Sequence, residues 1–156
     1  MIITAEYGTL DNAPEHGAYM PWITPLPNGC FIANQHVGSG LGANYCRIEI
    51  LRFPDGRQWH NEGQIVNQCS NYSYRMPQIH ALPGGCLLMT ATRFACNYIQ
   101  LFDPESEALQ QSQMLLYFSE DLGRRWSKPQ IIPVELPTDR YTANGAGMLI
   151  QLRHGR

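Results

Sequence analysis

One eleven-residue segment occurs twice in this sequence, and the repeat constrains the fold more than any other feature. MPWITPLPNGC begins at Met20 and MPQIHALPGGC at Met76, with seven identical positions at an offset of 56 residues. In a weaker third copy, GMLIQLRHGR from Gly147, the residues Leu149, Leu152 and Gly155 fall in register with Ile79, Leu82 and Gly85 at an offset of 70 residues. We interpret the extra 70 − 56 = 14 residues as including FDPESEALQQ, a polar surface insertion. Repetition at such a period predicts a repeat architecture, of which propeller blades span about 40–50 residues.

Each copy has the pattern of four short strands. An alternating run ends at LPNG or LPGG, a second strand follows, and a third apolar run leads through a turn ending in Trp to a short fourth. The prediction is an all-β, partial β-propeller with two four-stranded antiparallel blades and the first strand of a third. Blade one covers about 18–68, blade two about 73–134 and the start of blade three about 144–156 of this single domain, and Ile2–Tyr7 forms an N-terminal strand.

Composition agrees with many chain reversals and excludes several classes of partner. The chain has 14 Gly, 11 Pro and 16 aromatic residues (8 Tyr, 5 Phe, 3 Trp), and no segment with helical periodicity. With a net charge of −2 and a single lysine, Lys128, it has no basic face for nucleic acid. No apolar run approaches the ~18 residues of a membrane span. We therefore expect neither nucleic acid nor membrane as a partner.

Location, metal and cofactor follow from similar patterns. The N-terminus lacks the charged and apolar regions of a signal peptide, which predicts a cytoplasmic protein. Five cysteines without a C-x-x-C pair predict reduced thiols and no zinc knuckle, and His36, His60 and His80 lack metal-ligand spacing. GSGLG at Gly38 is followed by no helix whose N-terminus could hold phosphate. We expect no metal and no cofactor.

The segment SEDLGRRW, between the third and fourth strands of the second unit, has the residues of a tight turn. Asp121 can accept hydrogen bonds from backbone N–H groups of its own turn, and the Ser119 hydroxyl can form hydrogen bonds at the start of the turn. Gly123 can adopt positive φ, and Trp126 can bury its ring against the blade. We interpret all four residues as structural. The first unit carries the degenerate form FPDGRQW.

These motifs resemble the sialidase (neuraminidase) superfamily. SEDLGRRW resembles its Asp-box, or BNR repeat, and SYRMPQIHALPGGCLLMTATR resembles its arginine-containing RIP segment with the strand that follows. NGAGMLIQLRHGR resembles the opening of the next blade. The resemblance implies a six-bladed propeller glycoside hydrolase, of which the chain would hold the first third to half. It covers Tyr72–Arg156 well and the first unit loosely.

The resemblance also implies site residues. Arg75 matches the arginine that grips the substrate carboxylate, and Arg93 matches a sugar-contacting arginine. Arg75 also departs from the repeat, since Tyr19 and Gly145 stand at its place in the other units. An ion pair with a surface acid remains open for Arg75, and a surface strand end for Arg93. Tyr19 and Trp22 could stack on a sugar or pack in the core.

The catalytic set implied by the family is incomplete in this sequence. No acid follows Arg93 closely, so Asp103, ten residues on, is the one weak candidate for the general acid. The tyrosine nucleophile and its glutamate cannot be matched. Two hypotheses follow: a sialidase-type hydrolase of glycans with an acidic sugar, or a non-catalytic carbohydrate-binding or oligomeric structural module. We also expect a homo-oligomer that covers the strand edges Gly147–Leu152 and Ile2–Tyr7.

Overall fold

The computed structural model describes residues 16–41, 43–54, 58–65, 71–96, 102–135 and 137. Within these ranges the chain forms strands, turns and loops and no helix, and therefore none that could cross a membrane. The strands are β1 Gly17–Pro25, β2 Phe31–Gly38, β3 Cys46–Phe53, β4 His60–Gln64, β5 Tyr72–Ala81, β6 Leu87–Ala95, β7 Ser112–Ser119 and β8 Gln130–Ile131.

The described strands form two four-stranded antiparallel sheets with the same topology. The first sheet has the order β1-β2-β3-β4 and the second β5-β6-β7-β8. The register also repeats at the sequence offset of 56, since Trp22 pairs with Asn34 in the first sheet and Gln78 with Thr90 in the second. The predicted all-β class and the two four-stranded units are confirmed.

The two sheets share one apolar core. Because side chains alternate along each strand, every second side chain lies on the same side of its sheet. Burial of these side chains stabilises the fold by about 25 cal/mol per Å² of apolar area. Trp126 and Leu122, from the turn before β8, pack on this core while remaining partly exposed. The core residues are Leu26, Ile32, Ile48, Ile50 and Ile65 from the first half and Tyr74, Ile79, Leu87, Met89, Ala91, Leu115 and Tyr117 from the second.

The free edge of β5 lies against polar side chains of the first sheet. The Asn34 amide donates to the Pro77 carbonyl at 2.6 Å and accepts from the Ile79 N–H at 3.2 Å. Thr24 Oγ1 and Trp22 Nε1 both donate to the Ile79 carbonyl, at 2.6 and 2.8 Å. Because an edge strand leaves these backbone groups unpaired in its own sheet, the side chains complete their hydrogen bonding.

The inserted segment is mostly exposed, and its two ends meet in a β-bridge between Phe102 and Leu109. The predicted N-terminal strand Ile2–Tyr7 and the predicted third unit, with the strand expected at Gly147–Leu152, lie outside the described residues.

Candidate functional site

The first strand of each sheet carries the same β-bulge, at the repeated Met-Pro pair. The register slips between Tyr19 and Trp22 and at the equivalent place in β5. Met20 and Met76 adopt φ angles of 51° and 50°, in the left-handed region that non-glycine residues rarely occupy. Proline has no N–H to give to the ladder, so the bulge interrupts pairing where this pair occurs. Because strained backbone positions of this kind cluster at functional sites, the two bulges indicate a candidate site.

A cavity of about 230 Å³ lies beside the two bulges. We call it the Arg75 cavity. Its wall is apolar apart from one guanidinium and one imidazole, a composition typical of ligand pockets. The lining residues are Met20, His36, Leu41, Arg75, Met76, Phe94, Phe102 and Leu109.

Arg75 is a buried cation without a carboxylate partner among the described residues. It is 4% exposed, and its two terminal nitrogens donate to the carbonyls of Leu41 and Ala43. Nε lies 3.4 Å from Ser73 Oγ, and the guanidinium carbon lies 5.7 Å from the centroid of the Phe94 ring. Burial lowers the pKa of Arg75, because leaving water penalises the charged form. Among the described residues three of its five N–H groups have partners, and one N–H on each terminal nitrogen has none.

His36 is the second polar group of the cavity, and sequence reasoning missed it. It is 1% exposed and stacks on Tyr19 with ring centroids 5.5 Å apart. Its Nδ1 lies 3.4 Å from the Met76 N–H, as an acceptor, which puts the proton of the neutral ring on Nε2. Burial, with the charge of Arg75, lowers the pKa of His36 to about 4, so the ring is neutral at pH 7. Its departure from the repeat, where Thr92 is the equivalent, was the available signal.

The structure does not bring Arg93 to Arg75. In the β5–β6 register Arg75 faces Thr92 and Tyr74 faces Arg93, and side chains alternate along a strand, so the two arginines point to opposite sides of the sheet. Arg93 stacks over the Tyr72 ring at 4.2 Å and donates to Gln113 Oε1 at 2.8 Å. It lines a separate polar hollow of about 200 Å³.

Trp22 contacts the second sheet, whereas Tyr19 stacks within the first sheet. Trp22 is half-buried, donates to the Ile79 carbonyl and lies 5.7 Å, centroid to centroid, from the His80 ring. Tyr19 covers His36 without lining the Arg75 cavity. Their proposed stacking on a sugar stays a prediction.

Asp103 is held as a hydrogen-bond acceptor within its own turn. Its Oδ1 accepts from the Ser106 N–H and hydroxyl, both at 2.8 Å, and from the Glu105 N–H at 3.1 Å. The bonds from Ser106, and then from Glu105, lower the pKa of Asp103. A general acid must be protonated at the working pH, so this geometry does not favour that role. Its neighbour Phe102 lines the Arg75 cavity, whereas Asp103 does not.

The turn from Ser119 to Trp126 has a dense hydrogen-bond network of its own. Ser119 Oγ donates to Asp121 Oδ1 at 2.9 Å and accepts from the Gly123 N–H at 2.8 Å. Asp121 accepts from the N–H and the Nε of Arg125, at 2.8 and 2.7 Å. These bonds shape the turn, and none of the four predicted residues lines the Arg75 cavity.

An open cleft of about 420 Å³ lies between this turn and β4. Its charged rim is largely self-paired, since Glu62 forms an ion pair with Arg52 at 2.7 Å and Arg125 with Asp121. Within the described ranges, no three His, Cys, Asp or Glu side chains are placed to hold a metal ion. The unpaired buried cation therefore makes the Arg75 cavity the stronger candidate site.

Comparison with known proteins bears on the fold. No protein-family model matches the sequence, and no curated protein is similar to it in sequence. A protein of unknown function from Dyadobacter fermentans DSM 18053 is similar over 90% of this chain, with TM-score 0.66 and 16% identity. The Hadza microbial sialidase Hz136 is similar over 73% (TM-score 0.57, 18% identity). The α-L-arabinanase of Penicillium chrysogenum, solved with arabinobiose, is similar over 74% (TM-score 0.53, 21% identity).

The fold is that of a β-propeller. The two sheets are two of its blades, and propeller glycosidases are among the proteins that share this architecture. The chain spans 45%, 25% and 31% of the lengths of the three similar chains. At such low identity the likeness shows the fold alone.

Proposed function

We propose that this chain is a sialidase-like propeller segment with Asp-box turns that binds an acidic sugar through Arg75. The observation that carries the proposal is that Arg75 is 4% exposed and has no carboxylate partner among the described residues. A buried charge is costly unless an opposite charge compensates it, and carbonyl dipoles compensate it only in part. A ligand carboxylate supplies the missing charge in the geometry that a guanidinium prefers.

The shape of the cavity supports a sugar acid over a bare inorganic anion. Methionine, leucine and phenylalanine side chains surround the charged group, and such surfaces contact the apolar parts of a ligand. The neutral His36 adds no second positive charge. The sialidase likeness, in the fold and in the segment around Arg75, supports sialic acid as the sugar to test first.

The second candidate function differs from a sialidase in one respect: it binds the sugar without hydrolysing it. The geometry of Asp103 favours this candidate, because Asp103 is the only residue matched to the general acid, and it is an ionised hydrogen-bond acceptor within its own turn. Electrostatic stabilisation of an oxocarbenium-like transition state needs an acid and a nucleophile in fixed positions. We therefore propose binding as the function of residues 1–156 and expect no turnover of a sialoside by them.

Calorimetric titration with sialic acid and with its methyl ester tests the role of Arg75. The ester has the same ring but lacks the negative charge, so the wild type should bind the acid at least ~10-fold more tightly. Arg75→Met keeps an apolar stem and removes the guanidinium, so it should abolish this preference. Equal affinity of Arg75→Met and wild type for the acid would disprove the proposal.

Arg93→Met is the matched control for this titration. Because Arg93 lies on the other side of the sheet, its loss should leave the acid–ester preference unchanged. A loss of that preference in both variants would mean that one ligand reaches both arginines, as the family resemblance implies. The near-ultraviolet circular dichroism of each variant establishes that it is folded.

A further inference from the structure

We propose that the Nε2–H of His36 is a second hydrogen-bond donor to the ligand of the Arg75 cavity, and that it donates to the ring oxygen beside the ligand's carboxylate. This role rests on the proposed binding of a sugar acid by Arg75. In sialic and uronic acids alike, the carbon that bears the carboxylate is bonded to the ring oxygen. The two side chains together therefore select pyranose acids as a class.

The His36 ring is held in one orientation, and one of its nitrogens is left over. Its Nδ1 accepts from the Met76 N–H at 3.4 Å, and one ring face stacks on Tyr19 with centroids 5.5 Å apart. The proton of the neutral ring is therefore on Nε2. This atom is buried and has no hydrogen-bond partner among the described residues.

His36 differs in this respect from the rest of the cavity wall. Of the described residues that line the cavity, it is the one with a buried side-chain nitrogen or oxygen atom that makes no hydrogen bond. A buried donor without an acceptor destabilises a fold, so such a donor in a cavity wall indicates an acceptor that arrives with a ligand.

The described lining side chains offer hydrogen-bond donors and no oxygen acceptor. Arg75 has only N–H groups, His36 uses its acceptor nitrogen on Met76, and the other lining side chains are methionine, leucine and phenylalanine. A hydroxyl placed there would leave its own proton without an acceptor, which is unfavourable in an apolar cavity. The carboxylate and ring oxygens of a pyranose acid accept without carrying a proton, and they are neighbours.

Exposed apolar side chains at the rim let a ligand reach these donors. Met20, Leu41 and Phe102 line the cavity and are each about half exposed, so they lie where it meets solvent. Exposed side chains change rotamer within nanoseconds, and the unbranched methionine adapts most readily. Rotation of such a side chain leaves the backbone hydrogen bonds of its residue in place.

Two small acids of the same size test the donor from His36. Tetrahydropyran-2-carboxylate carries its carboxylate next to a ring oxygen, and cyclohexanecarboxylate has a methylene group in place of that oxygen. Because the cavity wall is apolar, the ring oxygen is disfavoured unless a donor meets it. In NMR titrations of the full chain, the wild type should bind the pyran acid at least ~3-fold more tightly than the cyclohexane acid.

Two substitutions of His36 separate its donor from its acceptor. His36→Asn keeps an oxygen for the Met76 N–H, as Asn34 Oδ1 accepts from the Ile79 N–H at 3.2 Å from the same strand, and removes the donor from the Nε2 position. It should lose or reverse the preference for the pyran acid. His36→Gln carries an amide N–H to that position and should restore the preference. Arg75→Met should weaken the binding of both acids by at least ~10-fold, because both carry the carboxylate.

The possible results distinguish the role of His36 from that of Arg75. Equal wild-type affinity for the two acids, or a preference that His36→Asn leaves unchanged, would overturn the role of His36; loss of both acids in Arg75→Met would then still support Arg75. No binding of either acid up to ~100 mM would overturn both roles.

The His36 ring signals of the ¹⁵N-labelled wild type give a test that needs no variant to fold. The Nε2–H proton should move downfield when the pyran acid is added and should not do so with the cyclohexane acid. A ring protonated on Nδ1 in the free protein, or an Nε2–H signal that does not move while the pyran acid binds, would overturn the proposal.

Discussion

Replacement of Gly123 by alanine is the sharpest test of how the turn before β8 contacts the first sheet. Gly123 has a φ of 84°, and a Cβ there would lie 2.5 Å from Ile32 Cδ1, 3.2 Å from Leu87 Cδ1 and 3.4 Å from Trp126 Cζ2. The first distance is well inside van der Waals contact. Since Ile32 is 0% exposed and belongs to the core, it cannot move aside without disturbing its neighbours.

Two costs add in this variant. An L-residue in the left-handed region costs about 1–2 kcal/mol relative to glycine. Insertion of an extra methyl into a packed core costs typically about 1–3 kcal/mol. We therefore expect Gly123→Ala to lower the free energy of unfolding by about 2–5 kcal/mol.

Gly84→Ala separates the two costs. Gly84 has nearly the same φ, 86°, but a Cβ there meets no atom within 4 Å. This variant should lose only the backbone contribution of about 1–2 kcal/mol. Urea unfolding followed by tryptophan fluorescence measures both, and with a slope of ~2 kcal/mol per M the midpoints should differ by about 0.5–1.5 M.

Equal midpoints for the two variants would refute the reasoning. They would mean that the turn does not press on Ile32 and that positive φ alone explains the requirement for glycine. A smaller slope for Gly123→Ala than for wild type would indicate a change in the denatured or native state, and the comparison would then use thermal unfolding.

Four further predictions concern stability and assembly. Trp126→Ala should lower the free energy of unfolding by about 3 kcal/mol in the same urea assay. This is the lower end of the range for an aromatic side chain, because the ring is half-buried. An unchanged midpoint would show that the ring does not stabilise the core. Asp121→Asn should be less stable than wild type at pH 7, and the difference in free energy of unfolding should disappear as the pH falls below 3.8. Hydrogen bonds from Arg125 and Ser119 lower the pKa of Asp121, so the stability that its carboxylate contributes is lost when it is protonated. A difference in stability that stays constant in acid would contradict this. Wild-type stability should fall by up to about 3 kcal/mol between pH 6.5 and 4, because His36 binds a proton there only when unfolded, and His36→Gln should flatten that slope. Light scattering at micromolar concentration should give a mass above the 17.7 kDa of one chain, since we propose a homo-oligomer that covers the Ile2–Tyr7 and Gly147–Leu152 edges.

The repeat made the fold predictable because its repeated residues occur where the backbone adopts the same unusual conformation in each unit. Met-Pro recurs where each first strand bulges, and the glycine before each cysteine recurs with φ of 81° and 87°. Alternating apolar residues then determine which side of each strand enters the core. Four strands per unit followed from turn residues whose conformations few other residues adopt.

Neither the side of the sheet on which each arginine lies nor the neighbours of those arginines could be deduced from the sequence. Once Arg75 pairs with Thr92, alternation places Arg93 on the opposite side. The bulge between Arg75 and Gln78 sets that register, and a sequence alone leaves it open by one residue. The carbonyls of Leu41 and Ala43 come from a loop 32 to 34 residues away, and no local pattern predicts that contact.

That contact changes what acidic-sugar recognition by Arg75 would require. The family resemblance implies an arginine that grips the substrate carboxylate, whereas here two of the N–H groups of Arg75 already donate to Leu41 and Ala43. The loop carbonyls fix the guanidinium plane, which lowers the entropy lost when a ligand binds. They also occupy one donor on each terminal nitrogen, so a carboxylate must use the remaining two.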